Sequence, residues 1–211
     1  MGHVVLLGDS ILDNGAYTGS GPDVITQLRA LLPEGWTATL LAIDGNIAED
    51  LVAQASRVAR GASHLIVSAG GNDALRHRAL LDAPAHSAAD VLDELAEVAA
   101  GFEADYRAGL DAVLAKGLPT TLCTIYNGNA PDLAFQRRAM TALTLFNDVI
   151  LRMAFENGLS VIDLRYVCTE AADYANPIEP SSRGGAKIAS AIAGVVGVTG
   201  RPSRRATVVV S

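Results

Sequence analysis

A short polar sequence interrupts the first apolar run of the chain. Gly8-Asp9-Ser10 follows Val4 to Leu7 directly and precedes a glycine-rich loop. A serine at the C-terminal end of a buried strand projects into the crevice where open α/β sheets bind ligands, and there it could act as the nucleophile of an acyl transfer. As a bare tripeptide it is equally a turn, because Gly, Asp and Ser all favour turns. Such a nucleophile needs a base. Of the four histidines, His3 and His64 begin strands, at the end of the sheet away from Ser10. His77 and His86 lie in or near the loop after the third strand, on the correct side. His77 is the better placed, although a solvated loop histidine is the simpler account. Other chemistry has less support. Gly19-Ser20-Gly21 has Val24 where a dinucleotide loop needs its third glycine, and no phosphate-loop lysine occurs. Asp9 is better suited to organise its own turn than to share a metal with Asp13 and Asp73. No metal or organic cofactor is expected.

These residues must be held by alternating elements. Short runs rich in Val, Ile, Leu and Thr predict strands at His3–Leu7, Thr37–Ile43, His64–Ala69, Thr120–Ile125 and Ser160–Ile162. Between them, longer patterns predict helices at Pro22–Leu32, Ala48–Arg60, Ala88–Lys116, Pro131–Asn157 and Arg183–Val196. The third has a candidate break near Gly101. Pro131 suits a helix start, and Gly61, Gly117 and Gly158 suit helix ends. Such alternation is the signature of a parallel sheet covered on both faces. With no internal repeat or composition change, residues 1–199 are expected to form one domain. The tail, 200–211, is ambiguous: Val208-Val209-Val210 could add an edge strand, pack on a neighbour or be disordered.

Half of the 211 residues are hydrophobic and only 5% aromatic, so Ala, Leu, Val and Ile must fill the core. The formal charge of −7 and the scattered Lys and Arg exclude a phosphate-binding surface, so nucleic acid is not an expected partner. No run is long and apolar enough for a membrane span. No basic region or cleavage site precedes Val4, and Cys123 and Cys168 lack metal or redox spacing. A cytoplasmic protein with two reduced thiols is the expectation, its oligomeric state left open.

Three blocks recur in order after the first three predicted strands: Gly8-Asp9-Ser10-Ile11, then Gly45, then Gly70-Gly71-Asn72-Asp73. Asp13-Asn14-Gly15 continues the first. Together they resemble the SGNH, or GDSL, hydrolases over most of the chain. The resemblance implies a three-layer α/β/α sandwich of flavodoxin-like topology with a five-stranded parallel sheet. It implies Ser10 as nucleophile, attacking a small carboxylic ester or thioester. It assigns the oxyanion hole to the backbone N–H groups of Ser10 and Gly45 and the side-chain amide of Asn72. Those roles are physically apt: glycine permits close backbone approach, and an amide donates without charge.

The last family block departs from its pattern. Where an Asp-x-x-His-Pro element belongs, the chain reads Asn176-Pro177-Ile178-Glu179-Pro180. In one reading Glu179 replaces the histidine as base and Asn176 orients it. An unperturbed Glu, with a pKa of about 4.3, is a poor base at neutral pH, but burial raises it. A neutral donor suits a carboxylate as an aspartate suits a histidine. In a second reading His77 supplies the base. In a third the scaffold binds a ligand without catalysis. An acyltransferase, in which an alcohol replaces water, stands beside these. The loop from Arg76 to Ser87 could line or cover the acyl site, and its Arg76, His77 and Arg78 could favour an anionic substrate.

Overall fold

The apolar runs of the sequence become the strands of one parallel sheet. The computed structural model describes residues 1–198 and 208. The strands are β1 (His3–Gly8), β2 (Thr37–Leu40), β3 (His64–Ser68), β4 (Thr120–Cys123) and β5 (Ser160–Ile162), in the spatial order β2-β1-β3-β4-β5. Six helices accompany them: α1 (Val24–Leu31), α2 (Leu51–Ser56), α3 (Gly71–Arg76), α4 (Ala88–Leu114), α5 (Leu133–Glu156) and α6 (Ser182–Val195).

Strand side chains alternate between two faces, and here both faces are apolar. Val5, Leu7, Leu65, Val67 and Leu122 join one core with side chains of α2, α4 and α5. Val4, Leu6, Ile66, Cys123 and Ile162 join the other with α1 and α6. Helices on both faces of a parallel sheet make the three-layer architecture that the sequence predicts. Parallel pairing throughout brings the C-terminal ends of β1, β2, β3 and β4 to one edge, where the polar blocks emerge.

Several boundaries differ from the sequence expectation. The second strand stops at Leu40 rather than Ile43, because the N–H groups of Leu41 and Ala42 both turn onto the carbonyl of Leu6. The helix predicted over 48–60 opens as a 3-10 turn at Ala48–Asp50 and closes at Ser56. Helix α4 runs unbroken through Gly101, where an added Cβ would meet open space. Helix α3 was absent from the sequence reading: it is too short, at six residues, to show a periodicity. The tail, 200–211, and its Val208-Val209-Val210 run lie outside the described residues apart from Val208, which is exposed. No helix among the described residues is long and apolar enough to cross a membrane.

Candidate active site

The first loop is set by Gly8. Its φ is +129°, and a Cβ there would sit 1.7 Å from the carbonyl oxygen of Ser68. Only glycine fits this crossing of β1 and β3. The chain then folds back on itself: Leu12 and Asp13 donate to the carbonyl of Asp9, and Ile11 donates to its carboxylate at 3.1 Å. The result holds Ser10, 6% exposed, at the head of a tight turn. Asp9 thus organises the turn as the sequence suggests.

Two further loops are tied to this one through buried amides. Gln54 accepts from the N–H of Gly8 at 2.7 Å and donates to its carbonyl at 2.8 Å. It also donates to Oδ1 of Asn46, whose carbonyl accepts from Nδ2 of Asn72, each at 2.8 Å. An amide has two donor hydrogens, so one of Asn72 is used in positioning and one is left over. Gly45 lies beside Asn46 at φ +84°, exposed, where its loop is held by Asp13 Oδ2 accepting from the N–H of Asp44. Among the described residues, no backbone carbonyl accepts from the N–H of Ser10 or of Gly45.

Glu179 arrives from the far end of the chain on a clamped loop. Tyr174 and Pro180 form an isolated antiparallel bridge, and Ala175 donates to the carbonyl of Glu179. Tyr126, at the end of β4, donates its hydroxyl to the carbonyl of Ile178 at 2.6 Å. Asn14, fully buried, donates to the carbonyl of Pro180 and accepts from Val24. Asn176 behaves differently from the sequence expectation. Its Oδ1 accepts from the N–H groups of Ile178 and Glu179, both at 2.9 Å, so it fixes the backbone under Glu179. Its amide makes no hydrogen bond to the Glu179 carboxyl among the described residues, because the oxygen faces inward to cap the turn.

The electrostatics are those of a crowded acidic corner. Glu179 is 7% exposed, and its Oε2 has no hydrogen-bond partner. Burial raises its pKa, a hydrogen bond from the Ser10 side chain opposes that rise, and the charge of Asp44 adds to it. Asp9 is pushed up to about 8, chiefly by burial, with the Ile11 N–H opposing and Glu179, Asp73 and Asp44 adding. Tyr17 donates to Asp44 at 2.6 Å and is pushed up to about 12, first by that bond and then by burial. Asp73 is also raised by burial, although both its oxygens accept from the N–H of Ala48.

Ser10, Asn72, Asn176 and Glu179 line one cavity of about 780 Å³, which Gly45 does not line. The rest of its wall is largely apolar and comes from α3, the turn Arg78–Asp82, α4, α5 and the loops that follow β1, β4 and β5. The segment 76–87 thus contributes to it. His77 lines the same cavity from the end of α3, and His86 does not. His3 and His64 sit at strand starts, engaged with Thr39 and Ser63. A buried hydroxyl and a buried carboxylate lining one cavity with an amide donor are groups that can perform nucleophilic acyl transfer. No group of three His, Cys, Asp or Glu among the described residues is arranged to hold a metal. The sequence reading missed Tyr17, Gln54 and Tyr126. Only the loop position of Tyr17, between Asn14 and the next helix, offered a signal.

The sequence matches the family model described as GDSL-like lipase/acylhydrolase over residues 6–186. No curated protein matches it in sequence. Solved structures resemble its fold. An extracellular lipase from Streptomyces rimosus superposes with a TM-score of 0.70 at 17% identity, over 92% of this chain and 99% of the other. A phospholipase A1 from Streptomyces albidoflavus gives 0.69 at 16% identity, over 92% and 98%. An acetylxylan esterase from Geobacillus stearothermophilus, crystallised as a catalytic mutant, gives 0.65 at 22% identity, over 97% and 99%.

Proposed function

The chain belongs to the GDSL-like lipase/acylhydrolase family, and we propose that it hydrolyses carboxylic esters or thioesters through an acyl-enzyme on Ser10 with Glu179 as base. The observation that carries this reading is that Ser10 and Glu179, 6% and 7% exposed, line one cavity, with burial raising the Glu179 carboxyl and the Ser10 side chain opposing that rise. A buried carboxylate is a stronger base than a solvated one, because desolvation disfavours its charged form.

In the first step Ser10 Oγ attacks the carbonyl carbon, and its proton passes to Glu179. The oxyanion is stabilised by the N–H of Ser10 and the spare amide hydrogen of Asn72, the two predicted donors that line the cavity; Gly45 stands outside it. The carbon–oxygen or carbon–sulfur bond then breaks, and the leaving group takes the proton from Glu179. Water repeats the sequence in the second half, giving the carboxylic acid and free Ser10. Glu179 alternates between base and acid, and no other proton carrier is needed. Asn176 is a positioning residue: it fixes the backbone from which Glu179 reaches Ser10.

The test is hydrolysis of p-nitrophenyl esters, with labelling by a fluorophosphonate, in wild type, Ser10→Ala, Glu179→Gln and His77→Ala. Loss of a general base costs about 10²–10⁴-fold in rate. Ser10→Ala should abolish both labelling and turnover. Glu179→Gln should lower turnover by that factor, with His77→Ala near wild type. Activity lost in His77→Ala and kept in Glu179→Gln would move the base to the α3 end. Turnover equal in wild type and Ser10→Ala would leave a ligand-binding protein.

A further inference from the structure

The cavity at Ser10 is bordered both by apolar side chains of α4 and α5 and by Tyr17 and Glu179, and we infer that the substrate is an ester joining a medium-length or longer apolar acyl chain to an uncharged or cationic alcohol. This rests on the reading of Ser10 as nucleophile and Glu179 as base.

The first argument is size. At roughly 30 Å³ for each water-sized group, an acetyl group would occupy a small part of the 780 Å³ available. Interiors are close-packed, and a large empty apolar space forfeits contacts. The wall beyond Ser10 is built to cover hydrocarbon: Leu80 and Leu81 from the turn after α3, Leu95 and Val98 from α4, and Phe135 and Leu143 from α5. Burying a methylene is worth about fourfold in affinity, so each added carbon in this arm should tell.

The second argument concerns direction. A base that accepts the Ser10 proton delivers it to the leaving alcohol, so the alcohol departs on the Glu179 side. Tyr17 and Asp44 stand on that side: Tyr17 lines the cavity, it donates to Asp44 at 2.6 Å, and the charges of Glu179 and Asp13 both act on it. The acyl remainder is left with the opposite, apolar arm.

The third argument is charge. Among the described residues, no Lys, Arg or His forms an ion pair with Asp13, Asp44 or Glu179. Glu179 is more than nine-tenths buried, lines the cavity and keeps Oε2 unpartnered. An uncompensated acidic corner repels an anionic headgroup and tolerates a hydroxyl-rich or cationic one. The nearby cations act elsewhere: Arg78 lies 5.1 Å over the Phe135 ring, in the apolar arm, and Arg76 acts on Asp73. They do not offset the corner at Tyr17.

The experiment compares kcat/KM of the full chain on p-nitrophenyl octanoate, p-nitrophenyl acetate, ethyl acetate and octyl acetate, then on 1-octanoylglycerol, octanoylcholine and 1-octanoylglycerol 3-phosphate. Octanoate should exceed acetate at least tenfold, and octyl acetate should gain nothing over ethyl acetate. The phosphate ester should be at least tenfold slower than octanoylglycerol and should recover in Asp44→Asn. Ala142→Phe, which fills the apolar arm, should collapse the octanoate-to-acetate ratio. Should that variant not fold, decan-1-ol inhibition of wild-type acetate hydrolysis decides the point: it should be at least a hundredfold tighter than butan-1-ol. Equal rates on acetate and octanoate, a preference for octyl acetate or equal rates with and without the phosphate would each overturn the inference while leaving esterase activity intact. If no ester is cleaved and Ser10 does not label, the underlying reading falls and the inference with it.

Discussion

The side-chain amide of Gln54 pairs with both polar groups of the Gly8 backbone, accepting at 2.7 Å and donating at 2.8 Å. It does for Gly8 what a neighbouring strand would have done, at the point where β2 has already ended. Asn147 repeats the device past the end of β4, accepting from Ile125 at 2.7 Å and donating back at 3.0 Å. Strand ends beside the cavity are thereby fixed by side chains, which frees the adjoining loops for chemistry.

Replacing Gln54 with Leu strands the buried N–H of Gly8, while the Gly8 carbonyl keeps the N–H of Ile43 as a donor. An unsatisfied buried group costs about 1–3 kcal/mol, so the urea midpoint should fall by a corresponding amount. The fold surviving, ester hydrolysis should drop more than stability alone explains, because the same amide also orders Asn46 and through it Asn72. An unchanged midpoint and unchanged kcat would refute the linkage.

Gly8→Ala should be among the most damaging single-methyl changes available. The added Cβ meets backbone, at 1.7 Å from the Ser68 oxygen, and β1 and β3 cannot separate locally. A loss above about 4 kcal/mol, or failure to yield folded protein, is the expected outcome by circular dichroism and denaturant titration.

Asp9 gives a pH signature in stability. Its folded pKa, near 8, lies above the ordinary 3.8, so the folded state holds a proton that the unfolded state has released. Stability is therefore full below the ordinary value and declines as pH rises toward 8. Asp9→Asn keeps the acceptor for Ile11 and cannot ionise. Between pH 5 and 8 it should gain about 2 kcal/mol or more on wild type. Parallel stability curves for the two proteins would show that Asp9 does not titrate in this range.

Glu179 must be ionised to accept the Ser10 proton, so kcat/KM should rise with pH through an apparent pKa above the usual carboxylate range. That direction follows from burial, which outweighs the Ser10 hydrogen bond. Asn176→Asp retains the acceptor for the N–H groups of Ile178 and Glu179 but places a second carboxylate nearby. Its acid limb should move to higher pH, with stability preserved. Asn176→Ala should lose stability and kcat together without that shift. The pH–rate profiles of the three proteins separate the cases.

What the sequence disclosed and what it concealed follow a physical division. Strands buried on both faces must be apolar throughout, so β1 and β3 stood out by composition alone. Glycine at position 8 and serine at 10 were legible because a strand-end turn has few chemical solutions. Buried polar residues were not. Gln54 and Asn147 sit in helical sequence, where a glutamine or asparagine ordinarily faces water, and their roles depend on partners 46 and 22 residues away. Asn176 was recognisable as a departure from the family block, yet its contact to the backbone rather than the carboxylate depends on a turn geometry that no spacing reveals. The cavity wall was legible only in its loop, 76–87. The apolar residues of α5 look the same whether they face a core or a substrate.

Asn14 joins the loop of Ser10 to Pro180, the residue after Glu179. The two groups proposed to cleave esters are therefore far apart in sequence, and their loops are joined through a buried amide. As the chain leaves the ribosome, Ser10 emerges long before its partner exists. The half-made protein carries a serine with no base and an Asn14 with no carbonyl to receive it. The proposed reaction therefore needs the segment that carries Glu179 to have folded onto the first loop.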